Sequence, residues 1–164
     1  MITQERLKEL FDYQDGNLVW KVQKARCVKI GSAAGWKKTD VHKQVYLCIE
    51  LDDKMYFAHR LVFMYHHGYF PKRIDHIDGD RLNNRIENLR DVTASQNAQN
   101  SKFRKNNKSG FKNVHFEKRN QKWRVLLQVD GVAKSFGYYD DVELAGLVAA
   151  EARDKFCGQF ARHF

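Results

Sequence analysis

The chain is poor in the residues that staple or interrupt a fold. Its 164 residues include three cysteines and one proline. Cys27, Cys48 and Cys157 stand far apart with no C-x-x-C pair, which disfavours both a disulfide framework and a cysteine-rich zinc knuckle. No apolar run is long enough to span a membrane, and the opening MITQERLKEL is too polar for a secretory leader. The chain therefore reads as cytoplasmic, with no membrane partner. It shows no internal repeat and no low-complexity tract. Acidic residues are also few for this length: 20 Asp and Glu against 29 Lys and Arg, a formal net charge of +9. That excess suits a polyanionic partner, most simply nucleic acid, and charge alone leaves a merely solvated basic face equally open.

Apolar side chains are not lacking. Hydrophobic residues make up 43% and aromatics 13%, enough to pack one ordinary domain or two small ones. Thr3 to Phe11 has the pattern of a short helix, with Thr3 as N-cap and Leu7, Leu10 and Phe11 on one face. Asp15-Gly16 marks a turn before a strand from Asn17 to Val22. Gly31 to Gly35 forms a loop. Val45 to Leu51 predicts a strand that pairs with Lys54 to Ala58 through a turn at Asp52-Asp53. HRLVFMYHHGYFP predicts a short helix ended by Gly68, and Pro71 imposes an extended backbone after it. Thr93 with Gln96 forms a capping box at the start of another helix. The basic, polar SKFRKNNKSG reads as a linker.

The last third changes rhythm. Phe111 to Glu117, Lys122 to Val129 and Val132 to Tyr138 predict strands, the last two joined at Asp130-Gly131. A helix follows, with Asp140 and Glu143 as a capping-box pair and Leu144, Val148, Ala152 and Phe156 at helical spacing. Alternation along the middle strand puts Trp123, Val125, Leu127 and Val129 against that helix, and Arg124, Leu126 and Gln128 outward.

The run RIDHIDGDRLNNRIENL, Arg73 to Leu89, concentrates Asp, His, Asn and Gly. Such residues build ordinary turns. They also suit phosphodiester hydrolysis, which needs a base for water and a Lewis acid at a phosphoryl oxygen. Histidine titrates in the right range for the base, and hard cations take oxygen ligands. Asp75 and His76 supply a carboxylate and an imidazole. Asn88 and Asn97 supply amide oxygens, which can ligate a cation or fix an imidazole tautomer. Neighbours on a flat strand point to opposite faces, so the pair can share a site only where the strand twists or ends; Gly79 makes a sharp turn available.

The order D-H-I-D-G-D-x-x-N-N-x-x-x-N-L-R, followed by a capped helix carrying Asn, resembles the HNH endonuclease motif. The resemblance runs from about His59 to Asn100 and falls in the subclass of phage and intron-encoded homing enzymes without structural zinc. It implies a ββα-metal, or His-Me, finger. It further implies that His76 is the general base, Asp75 and Asn97 are ligands of Mg²⁺ (or Mn²⁺), and Asn88 orients His76. Asn83 and Asn84 would brace the loop, and Asp78 and Gly79 would shape its turn. The family's final histidine is replaced here by Asn97. His59, heading an apolar helix, is expected to pack or hydrogen-bond.

The C-terminal third resembles the Apetala/ethylene-response-factor DNA-binding domain. The landmarks are Gly110-Phe111 with Val114, Lys122-Trp123, Phe136-Gly137-Tyr138 and the Ala-rich helix with Glu151-Ala152. The resemblance implies a sheet face in the major groove, with Lys112, His115, Lys118, Arg119, Arg124 and Gln128 on that face or its phosphate rim. Lys102, Arg104 and Lys105 of the linker would track phosphates. Leu126 and Ser135 depart from the family's usual contacts.

The expected fold is α+β: a ββα-metal finger in a small mixed N-terminal domain, then a three-stranded antiparallel sheet on one helix. The expected domains are a nuclease over residues 1–101, with the finger at about 72–101, a basic linker over 102–109 and a DNA-binding module over 110–164. The expected function is metal-dependent cleavage of double-stranded DNA by a monomer or homodimer in a bacterial or phage-infected cell. A catalytically inactive DNA-binding regulator is the alternative, and an RNA-binding module is a second.

Overall fold

Thr3 opens the first helix as its position predicts. Its hydroxyl accepts from the Arg6 N–H, and the helix, α1, runs Gln4–Leu10 in the computed structural model, which describes residues 2–26, 28–100, 107–129 and 131–161. Leu7 and Leu10 are buried on one face. Phe11 leaves the helix rather than extending it. It begins strand β1 (Phe11–Gln14), which returns through Asp15 and Gly16, both at positive φ, as β2 (Asn17–Trp20). Phe11 lies opposite Trp20, with ring centroids 4.4 Å apart, and a cross-strand aromatic pair of this kind favours the strand over another helical turn.

A three-stranded antiparallel sheet follows in the order β3-β4-β5: Trp36–Thr39, Val45–Leu51 and Lys54–Phe57. The β4–β5 turn is at Asp52-Asp53 as expected, both residues at positive φ. The sequence reading missed β3, whose four residues are all exposed. Strand β5 runs directly into α2 (Ala58–His67), whose left-handed C-cap is Gly68. Gln4 donates to the carbonyls of Tyr65 and His66, two acceptors that the end of α2 leaves open. Leu7, Phe11, Leu18, Ile49, Leu51, Leu61 and Val62 form the core here, each almost wholly buried. Burying one such side chain contributes roughly 1.5–3 kcal/mol. Strands β6 (Ile74–His76) and β7 (Leu89–Asp91) complete this part of the chain.

The chain divides into two compact units, Met1–Val92 and Thr93–Phe164. The second begins with α3 (Ala94–Gln99), where Thr93 and Gln96 make the anticipated capping box in full. Strands β8 (Val114–Glu117), β9 (Lys122–Val129) and β10 (Val132–Tyr139) form an antiparallel sheet in the order β10-β9-β8. Helix α4 (Val142–Cys157) packs on it. Val125, Leu127 and Val129 are buried toward the core and Gln128 is exposed, as the alternation predicts.

Two details of α4 correct the sequence reading. Its N-cap is Asp141, which accepts from Leu144 N at 2.7 Å, while Asp140 pairs with Lys122 at 3.0 Å. There is accordingly no capping box with Glu143. The buried stripe is also rotated: Ala145, Ala149 and Ala152 face the sheet, and Leu144 is 49% exposed. Small side chains let the helix approach Val114 and Val125 closely, and that close contact sets the helix rotation.

Candidate active site

Strands β6 and β7 pair antiparallel in the register Ile74↔Asp91, Asp75↔Arg90 and His76↔Leu89. The intervening loop leaves β6 abruptly, because Gly79, at φ 74°, returns its N–H to the carbonyl of His76 at 2.9 Å. Three polar side chains then tie the loop to itself. Asp78 accepts from Asn83 Nδ2 at 2.7 Å, from Asn88 Nδ2 at 2.9 Å and from Asp80 N at 2.8 Å. Asn88 in turn accepts from Asp78 N at 3.0 Å and donates to the Asn83 carbonyl at 2.8 Å. Burial alone would raise the Asp78 pKa. The bonds from Asn83, Asp80 and Asn88, with the nearby His76, outweigh it and hold the carboxyl below its ordinary range.

The first hairpin buttresses this loop. Tyr13 Oη accepts from Ile86 N at 2.9 Å. A Cβ on Gly16 would stand 2.8 Å from Arg85 N, so only glycine lets the β1–β2 turn approach so closely.

His76 is 7% exposed, and its Nε2 lies 3.1 Å from Oδ1 of Asn84, which is 2% exposed. The amide that meets the imidazole is therefore Asn84. Asn88, expected in that role, has its amide committed to Asp78 and Asn83; it shapes the loop. With Asn84 Oδ1 as acceptor, His76 Nε2 is the donor of this bond. Against the same ring lies His59, edge to face, with centroids 5.2 Å apart. His59 also stacks on Phe57 at 5.5 Å and 14°. Burial, the His76 charge and the Arg60 charge together push its pKa down to about 3, so it stays neutral beside His76.

Stability should follow that shift. Free in the unfolded chain, His59 takes a proton near pH 6.5; folded, it does so only near 3. The unfolded state thus binds more protons between those values, and stability falls as pH drops through that window. His59→Gln should flatten this acid-side loss, read as the urea midpoint of variant and wild type at pH 7 and pH 4.5. Equal losses in both proteins would show that His59 is not the group responsible.

Asp75 takes the other side of β6. Its Oδ2 accepts from Arg90 Nη2 at 2.8 Å and Nε at 3.0 Å, across the strand pair, with both side chains largely buried. Adjacent residues therefore serve two neighbourhoods, Asp75 with Arg90 and His76 with Asn84 and His59, as strand alternation requires. Asn97 is an exposed residue of α3, in the second unit.

Among the expected nucleic-acid contacts, His115 lies opposite Arg124 on neighbouring strands. Arg124 reaches Ser135 Oγ at 3.5 Å and lies over the Tyr138 ring at 5.7 Å. Gln128 is exposed four residues further along β9, and Lys118 and Arg119 are exposed at the β8–β9 turn. Lys112 instead directs its amine to the Gln99 carbonyl at 3.4 Å. Lys102, Arg104 and Lys105 lie outside the described residues.

One surface was not anticipated. Tyr46 and Phe57 are neighbours at 5.0 Å, Tyr46 lies 6.1 Å from His59, and the Arg81 guanidinium sits 5.4 Å over Tyr46. Lys38 lies opposite Tyr46 on β3, and Trp36 is 44% exposed on the same strand. Aromatic and basic side chains thus lead along the sheet through His59 to His76. The sequence signal was present in WKK and VYL, but no local pattern joins them to a histidine 30 residues on.

A family model described as HNH endonuclease matches residues 56–99, from the end of β5 through α2, β6, the loop and β7 to the end of α3. The chain is also 36% identical to Protein 3.8 of Escherichia phage T7 over 95 residues, which are 58% of this chain and 75% of that protein. No solved structure matches it.

Proposed function

Because the chain belongs to the HNH endonuclease family, we propose that it is a metal-dependent DNA endonuclease of the homing type with His76 as its general base. The observation that carries this reading is a buried imidazole with one nitrogen occupied by Asn84, a neutral His59 against its face, and an aromatic and basic surface leading to it. Asn84 holds the imidazole in one orientation, in which it takes the proton of an attacking water. His59 packs the ring in place without adding charge. Lys38, Arg81 and the exposed Trp36 suit a phosphate backbone and its bases.

The proposed cation ligands, Asp75 and Asn97, offer one carboxylate and one amide oxygen, a donor set that suits Mg²⁺ or Mn²⁺ with water and phosphate completing the shell. Among the described residues no three His, Cys, Asp or Glu side chains gather as a zinc-type cage would need. When bound, such a cation supplies charge at the scissile phosphate and its leaving oxygen. Arg90, on Asp75, holds that carboxylate in one orientation.

In this reading residues 1–101 form the cutting domain and include the ββα-metal finger, 102–109 tether it, and 110–164 bind DNA as an Apetala-like module. The outward set His115, Arg124 and Gln128 supports the last assignment, since a β-ribbon carrying Arg and Gln can read guanine and adenine in the major groove. A monomer with one finger nicks one strand.

Plasmid cleavage tests the proposal. Supercoiled DNA should be nicked in Mg²⁺ or Mn²⁺ and left intact in EDTA, and the nicks should reseal with ligase, as 3′-hydroxyl and 5′-phosphate ends do. Cleavage that survives chelation would end the metal-dependent reading. Asn84→Ala should slow cleavage by about 10–100-fold, the usual effect of losing a partner that orients an active-site imidazole, while DNA binding stays unchanged. A full rate in this variant would remove Asn84 from the mechanism.

A further inference from the structure

Beyond the nuclease site, the second unit contains a cavity of about 420 Å³ on one flank of α4. Glu143, Gly146, Leu147, Ala150 and Arg153 line it, at the i, i+3, i+4, i+7, i+10 spacing of a single helix stripe. This stripe lies beside the one formed by Ala145, Ala149 and Ala152, which packs on the sheet. Phe111 forms the opposing wall. Its ring lies so close over Gly146 that a Cβ there would stand 2.5 Å away.

The walls are mostly apolar, yet Arg153 is 3% exposed and its Nη2 is buried with no acceptor among the described residues. A guanidinium cannot readily discharge. Burying it without a partner is unfavourable, and an anion brought in by a ligand would remove that penalty. Burial pulls the Arg153 pKa below its ordinary value, although the nearby Cys157 and Asp154 act to raise it. Lys112 adds a second positive group to the lining, and Glu143 stands at the opposite end of the stripe.

We infer that this cavity binds a small organic carboxylate, its apolar body between Phe111, Leu147 and Ala150 and its carboxylate on Arg153. The volume falls within the range of small-molecule pockets, roughly 300–1,000 Å³. The apolar walls argue against a bare inorganic anion, and the single buried guanidinium matches one carboxylate with two parallel hydrogen bonds. Glu143 disfavours further negative charge at the far end. The site is independent of the nuclease reading, since all its residues lie in the second unit and none is placed in catalysis.

The full chain, ¹⁵N-labelled, should be titrated with 4-phenylbutyrate, with the matched alcohol 4-phenylbutan-1-ol, and with inorganic phosphate. The carboxylate should shift amide signals of residues 110–112 and 143–153 and bind at least tenfold tighter than the alcohol. Phosphate should produce no saturable shift there. Arg153→Met should abolish the preference for carboxylate over alcohol without lowering the melting temperature, because it removes a buried charge that lacks a partner. Leu147→Trp, made at a residue 69% exposed, should leave the fold intact and block both probes. Equal affinity for carboxylate and alcohol, tighter binding of phosphate, or a lower melting temperature in Arg153→Met would each overturn the proposal.

Discussion

His76→Ala should reduce DNA cleavage by about 10²–10⁴-fold, the usual contribution of a positioned general base, while DNA binding remains at the wild-type level. The reason lies in the surroundings of the ring. Asn84 occupies Nε2, His59 covers one face, and Leu89 lies opposite on β7. Among the described residues the imidazole against His76 is no substitute, because His59 is held neutral at a pKa of about 3 by burial, with His76 and Arg60 adding to it. A base that weak accepts almost no protons at pH 7. Truncating a buried ring also opens a cavity, so the variant must be shown to be folded by circular dichroism and to bind DNA before its rate is read. A folded His76→Ala protein that cuts plasmid at the wild-type rate would remove His76 as the base. A wild-type protein that binds DNA and cuts none under any cation would favour the inactive regulator.

The second large effect is expected at Asp75, on stability and activity together. Asp75 and Arg90 lie directly opposite in the β6–β7 pair, with side chains 10% and 13% exposed. Removing one partner of such a pair leaves the other charge buried and costs about 3–5 kcal/mol. Asp75→Ala should therefore shift the urea midpoint strongly and abolish cleavage. Those losses separate in a double variant. Asp75→Val with Arg90→Val replaces the ion pair by two β-branched neighbours and should recover most of the stability, since an apolar pair of similar shape replaces a buried ion pair at little cost. Cleavage should not return, because the proposed cation ligand is still missing. Recovery of cleavage along with stability would mean that Asp75 serves only to hold the hairpin.

Much of the framework was legible locally. Thr3 and the Thr93–Gln96 box cap their helices as their side-chain chemistry dictates. Asp52-Asp53 and Gly68 stand at positive φ, where a tight hairpin and a helix end need them. Alternation along β9 separated Val125 and Leu127 from Gln128 correctly. The misses share a different cause. Trp36–Thr39 is an exposed edge strand without alternation, so nothing in its own composition marks it. Phe11 could end a helix or begin a strand, and its partner Trp20 decides. Asp140 and Asp141 are equivalent as caps until one of them is drawn to Lys122.

For the site, the residue types alone left an ordinary turn and a nuclease loop both open, and the order of Asp, His and Asn suggested the second through its resemblance to a known motif. Three asparagines and a glycine could be assigned to that loop from sequence, but not which amide meets His76. That depends on the path of the loop, set by the turn at Gly79, the knot around Asp78 and the bond from Ile86 N to Tyr13, 73 positions away in sequence. The folded chain placed Asn84 on the imidazole and Asn88 in the loop. Packing of α2 likewise brought His59, 17 positions earlier, against the ring, and close packing of alanines turned Leu144 outward and Arg153 inward. Capping, turns and alternation act over a few residues and can be read directly from sequence; side-chain partners across a loop or a helix flank depend on distances that only the folded chain defines.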